Sequence, residues 1–215
     1  MMLVPVALIY YFWNSEWIIP LKLLVVTLHE YSHALVAWLT GGEVISIGVN
    51  SDQSGYTVTS GGNNILITSA GYIGTTIFGI LFLKLSRIKT ASKYAMMIIG
   101  IILMIMAVLY LENLYGILYG FGFGIVMVIL SIFGGKTIPK YLLRFLGIFV
   151  LVYSLYDIKG DLLLDVDKTA VTDATILHQY TGIPAMAWAI LWVIIVAVVL
   201  YYFLLTRKGK NGVEG

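Results

Sequence analysis

Cysteine is absent from the 215 residues. That excludes a disulfide framework, a Cys-ligated zinc and a Cys nucleophile. Charge is scarce as well. Only 11% of residues are Asp, Glu, Lys or Arg, less than half of the about 25% usual in a soluble domain. Thirteen Lys+Arg against 11 Asp+Glu leave a net charge of +2, and the basic residues are not gathered into one stripe. A nucleic-acid partner is therefore not expected. What the chain has instead is apolar surface: 60% hydrophobic residues and a mean hydropathy of +0.95. A soluble enzyme and a disordered tail are excluded with it. The composition is that of a polytopic membrane protein.

A helical span needs about 20 mostly apolar residues. Such runs occur at 17–39, 66–86, 94–112, 114–134, 141–157 and 185–206. The run 2–13 is shorter and contains Pro5, so it is a doubtful seventh. No basic residue precedes it and no small-residue cleavage site follows, so a cleavable signal peptide is not expected. The fold class predicted is an all-α polytopic membrane protein, one transmembrane domain over 1–215 with six or seven transmembrane helices.

Basic residues orient the spans. Lys84, Arg87, Lys89 and Lys93 share one loop. Lys136, Lys140 and Arg144 share another, and Arg207, Lys208 and Lys210 stand in the tail 207–215. With alternating spans all three fall on one side, which the charge rule makes cytoplasmic, C-terminus included. The opposite side receives 40–65, which has no Lys or Arg, and an acidic extramembrane loop, 158–184, carrying Asp161, Asp165, Asp167 and Asp173.

Within 43–65, Val44–Val49 and Gly55–Thr59 flank the polar stretch Asn50–Ser54, which predicts a β-hairpin. Gly116, Gly120 and Gly124 recur at intervals of four, and Gly71, Gly74 and Gly79 are read the same way. Small residues at such spacing let helix backbones approach closely in lipid. No internal repeat is visible, which argues against an inverted-repeat transporter.

One span is chemically unlike the rest. Residues 17–39 contain His29-Glu30-Tyr31-Ser32-His33, an H-E-x-x-H. On a helix the two histidines stand one turn apart on one face and can converge on a zinc ion, with Glu30 beside them as general base. A Glu near the bilayer centre costs about 2.5–3.5 kcal/mol on insertion scales, so three ionisable groups in five residues call for a role. Catalytic zinc typically keeps three protein ligands. Depth suggests the third. Counted from Lys22, His29 and His33 lie roughly 10 and 16 Å outward at 1.5 Å per residue. Counted from Arg144, Asp157 lies roughly 20 Å outward and Asp161 roughly 26 Å. Asp157 matches best, with Asp161 one turn beyond. Asp165, Asp167 and Asp173 are expected too far out, and His178 is expected to be an ordinary surface histidine. Glu112, at the outer end of its span, is expected to reach water.

These residues resemble the site-2 protease family of intramembrane zinc metalloproteases, and most of all a small branch of it. The resemblance rests on H-E-x-x-H in a span, followed by Thr40-Gly41-Gly42, a β-like segment, Gly71-Tyr72-Ile73-Gly74, and the later stretches Tyr153–Asp161 and Thr181–Ala185, over about residues 20–190. Better-known members carry the ligand aspartate in a Leu-Asp-Gly context, where this chain has Tyr156-Asp157-Ile158. The resemblance implies a zinc cofactor and a membrane protein or peptide substrate. It implies hydrolysis in or near the bilayer, with Glu30 activating a water held at the zinc. The hairpin offers an edge on which an unwound substrate could add as a strand. Asn63 and Asn64 are candidate substrate contacts.

Alternatives are a zinc-dependent hydrolase of a lipid or small amide, a non-proteolytic zinc-binding scaffold, and a transporter. A second H-E-x-x-H membrane protease family takes a glutamate as third ligand, for which only Glu112 is a candidate here. Oligomeric state is not legible.

Overall fold

The structure, a computed structural model, describes residues 9–162 and 171–208, and their side chains except at 159–162 and 202–208. The expectations for residues 2–8, for Asp165 and Asp167, for the Asp161 side chain and for most of the tail 207–215 lie outside the described residues. The helices are α1 (Ile19–Leu39), α2 (Asn64–Leu85), α3 (Lys89–Leu109), α4 (Leu114–Phe133), α5 (Thr137–Leu162), α6 (Asp173–Thr181) and α7 (Ala185–Lys208). Strands β1 (Glu43–Val49) and β2 (Gly55–Ser60) stand between α1 and α2. The chain divides into two compact units, Met1–Tyr153 and Ser154–Gly215.

Among the described residues, four helices are long and apolar enough to cross a membrane: Asn64–Leu85, Lys89–Leu109, Leu114–Phe133 and the Thr137–Ile158 part of α5. The bent pair α6 and α7 would make five. The six or seven spans expected from sequence are thus four to five by this measure. The helix α1 spans 21 residues, but Lys22, His29, Glu30, Ser32 and His33 dilute its apolar character. The molecule is mostly helical, and its apolar helices fit an integral membrane protein.

In the first unit α1 is the central element. Leu23 to Leu28, Glu30 to Ala34 and Ala37 are all buried. Thr27 and Ser32 spend their hydroxyls locally: Thr27 Oγ1 donates to the Leu23 carbonyl at 2.7 Å and Ser32 Oγ to the Leu28 carbonyl at 2.6 Å, each one turn back. Upstream, Trp13 stacks at 6.4 Å on Phe149, and the Lys22 ammonium lies 4.9 Å from the Trp13 ring centroid.

The glycines predicted as packing positions act within the chain. A Cβ on Gly100 would lie 2.7 Å from the Gly124 carbonyl oxygen, and one on Gly120 would lie 3.1 Å from Ala107 Cβ. Helices α3 and α4 therefore meet backbone to backbone. Gly79 of α2 and Gly147 of α5 do the same, a Gly147 Cβ falling 2.9 Å from the Gly79 carbonyl oxygen.

The hairpin is antiparallel, with Val49 opposite Gly55, Ile47 opposite Thr57 and a bulge between Val44 and Ser46. Its turn is closed by Asn50 N–H donating to the Ser54 carbonyl at 2.9 Å. Inside it Asp52 Oδ1 accepts from Ser54 N–H and Oγ, which holds the exposed Asp52 carboxyl below its ordinary range. Residues 110–112, expected to finish a span, instead line the outer edge of β1. Ile47 N–H donates to the Tyr110 carbonyl at 2.8 Å, and Glu112 N–H to the Ile47 carbonyl at 3.1 Å. The side-chain amide of Asn113 then clamps Val49, accepting its N–H at 3.2 Å and donating to its carbonyl at 2.7 Å.

In the second unit α6 opens on a capping box formed by Thr172 and Thr175. It closes at Gly182, whose φ of 72° is the left-handed conformation that glycine takes without strain. Pro184 follows, and α7 leaves at 119° to α6. The Ile183 carbonyl, 2.9 Å from His178 Nδ1, braces this bend. His178 is exposed as expected, with a structural role in the turn.

Candidate metal centre

Helix α1 sets the two histidines one turn apart, and their ring centroids are 4.8 Å from each other. His33 is buried and His29 half-buried. Nδ1 of His33 lies 2.6 Å from the carbonyl oxygen of Ile67 on α2. A carbonyl can only accept, so Nδ1 carries the proton, and in the neutral ring Nε2 keeps the lone pair that a metal requires. The edge of Tyr72 meets His29 at 4.7 Å between centroids.

Helix α2 comes this close because of the two glycines in Gly71-Tyr72-Ile73-Gly74. A Cβ on Gly71 would overlap His29 Nε2, and one on Gly74 would overlap Ser32 Oγ. The motif is therefore more than a general packing device. Gly71 is the space in which the His29 ring sits.

Glu30 faces the hairpin. It is 6% exposed, and Thr57 Oγ1 of β2 lies 2.7 Å from its Oε2 and 3.1 Å from its main-chain carbonyl. Beside it Gly55 gives clearance: a Cβ there would stand 2.6 Å from Glu30 Oε1. A buried carboxylate is costly unless hydrogen-bonded, and the hydroxyl of Thr57 meets that need.

Within the first unit, the pair that could hold a metal together is His29 and His33. Two imidazoles completed by one carboxylate would be a donor set that suits zinc. Glu30 is outside this group, as a base rather than a ligand should be. Asp173 is the first residue of α6 in the second unit. Asp157 is half-buried on α5, and Asp161 continues the same helix.

The other expected site residues have visible local roles. Asn63 is the N-cap of α2, its Oδ1 accepting from Leu66 N–H at 3.1 Å while its own N–H donates to Thr40 Oγ1 at 3.1 Å. Asn64 is the exposed first residue of that helix. Glu112 accepts from the Tyr56 hydroxyl and bonds the Ser46 side chain. It is engaged with the hairpin, which removes support from the reading with a glutamate third ligand. Sequence reasoning missed Thr57, Gly55 and the Ile67 carbonyl. A lone threonine or glycine in a strand, and a main-chain acceptor, carry no pattern of their own.

The family model described as Peptidase M50B-like matches residues 2–203. No curated protein and no solved structure matches the chain.

Proposed function

Because the chain belongs to the Peptidase M50B-like family, a site-2 protease family, we propose that it is an intramembrane zinc metalloprotease that hydrolyses peptide bonds in or near membrane spans. The observation that carries this reading is the α1 cluster: two histidines one turn apart, one with its Nδ1 committed to Ile67, and a buried glutamate held from the other side by Thr57.

His29 and His33 would hold the zinc, with one carboxylate as third ligand. The family resemblance implies an aspartate within Tyr153–Asp161, as Asp157 or Asp161, and Asp157 matches the histidines better in depth. When bound, zinc supplies a Lewis acid that makes water a nucleophile near neutral pH and polarises the scissile carbonyl. Glu30 would take the proton from the attacking water and pass it to the leaving amide nitrogen as the C–N bond breaks. Two products result, a new carboxylate end and a new amine end.

A substrate helix must unwind before its peptide bond can be reached. The outer edge of β1 is filled by residues 110–113, so an extended segment would add to β2, the edge next to Glu30. This favours a peptide over a lipid or small amide. A scaffold would have no use for a buried glutamate oriented by a strand. The charge rule adds the proposal that the C-terminus is cytoplasmic.

The test is cleavage of a single-span apolar peptide, tagged with a fluorophore and a quencher, by the full chain in detergent. Cleavage by wild type, and its loss in Glu30→Gln at unchanged zinc content, is the expected result. Equal cleavage by Glu30→Gln would contradict the role of the base.

A further inference from the structure

Strand β2 carries two sets of contacts at the same residues. The closing bond from Asn50 N–H to the Ser54 carbonyl fixes which residues of an antiparallel pair exchange hydrogen bonds. Alternation then turns the main-chain groups of Gly55 and Thr57 away from β1. Their partners across the hairpin obey the same parity: Val49 and Ile47 turn outward and are taken by Asn113, Tyr110 and Glu112. On the β2 side no such cover exists among the described residues, since the sheet has two strands and β2 is its edge. The side chain of Thr57 meanwhile points onto Glu30, and Gly55 is the clearance beside Glu30 Oε1.

We infer that Thr57 is a positioning residue that couples strand addition at the β2 edge to the placement of the Glu30 carboxylate. This rests on the protease reading above. A segment pairing with the outward N–H and C=O of Thr57 fixes that residue's backbone, and with it the hydroxyl that holds Glu30 Oε2. The base is thereby set in place by the same strand that receives the peptide. A segment that stays helical makes no such pairing and does not fix the base.

Steady-state kinetics of the full chain on the tagged single-span peptide, with zinc content measured in each sample, test this. Thr57→Val keeps the shape and removes the hydroxyl. Its kcat is expected to fall about tenfold or more, since small misplacement of a catalytic group can cost about 100-fold. Its KM and zinc content are expected to stay at wild-type values. Thr57→Ser restores kcat, and Gly55→Ala, crowding Glu30 from the other side, lowers it. A second readout needs no turnover: in zinc-loaded Glu30→Gln, the peptide should slow amide hydrogen exchange in segment 55–60. A wild-type kcat in Thr57→Val, a loss that follows zinc content, or no protection of 55–60 overturns the inference while the protease reading stands. A wild-type chain that holds no zinc or cleaves nothing overturns both.

Discussion

Nδ1 of His33 on α1 is 2.6 Å from the carbonyl oxygen of Ile67 on α2. The bond joins the metal-binding helix to the next helix at the ligand itself. It decides the tautomer, and with it which nitrogen faces a metal. In protein labelled with 15N-histidine, addition of zinc should shift the Nε2 resonance of His33 and leave Nδ1 protonated. A shift at Nδ1 in place of Nε2 would mean that the ring is turned the other way.

Gly71 leaves the room that His29 occupies. Gly71→Ala should therefore lower zinc affinity by tenfold or more, of the order of 1.4 kcal/mol or above, as seen by competition with a chelator, while circular dichroism keeps the helical signal. Gly122 supplies the control. Nothing lies within 4 Å of a Cβ built there, and Gly122→Ala should leave zinc binding unchanged while stabilising α4 by about 0.5–1 kcal/mol. Equal zinc affinity in the two variants would show that the close approach of α2 is unimportant to the ligand.

The HEYSH helix and the hairpin were both legible in the sequence because their signals are local. Ligands at i and i+4 fall on one helical face, and alternating residues on either side of a polar turn make a hairpin. The glycine spacings were legible as packing for the same reason. Contacts made at long range left no such trace. Residues 110–112 continue an apolar run and read as the end of a span, yet α3 stops at Leu109 and the next residues bond β1 through their main chain. Thr57 reads as one more β-branched strand residue, and nothing in the string reveals that Glu30, 27 positions earlier, accepts its hydroxyl.

The Tyr56 hydroxyl donates to Glu112 and so ties β2 to the α3–α4 connection. This bond, followed by that of Ser46, holds the Glu112 carboxyl below its ordinary 4.5. The bond to Glu112 pushes the Tyr56 phenol above its ordinary 10.0. A lowered carboxyl contributes stability above its unfolded pKa and loses it as pH falls through the folded one. A raised phenol contributes below its unfolded pKa and loses it as pH rises through the folded one. The tie should hold across neutral pH and open at both the acid and the alkaline extreme. Hydrogen exchange at 110–112 should rise at both ends of the range in wild type. In Tyr56→Phe it should already be raised at neutral pH, and a flat, unchanged profile in that variant would show that the tie contributes nothing.

The central claim is that α1 carries a zinc site completed by a carboxylate. Its most direct test is the zinc content of the purified full chain in detergent, compared with His29→Ala, Asp173→Ala, Asp157→Ala and Asp161→Ala. The account predicts about one zinc per chain, lost in His29→Ala and in one of the carboxylate variants and kept in the others. A wild-type chain that takes up no zinc when it is offered, or a His29→Ala chain that holds as much as wild type, would contradict it.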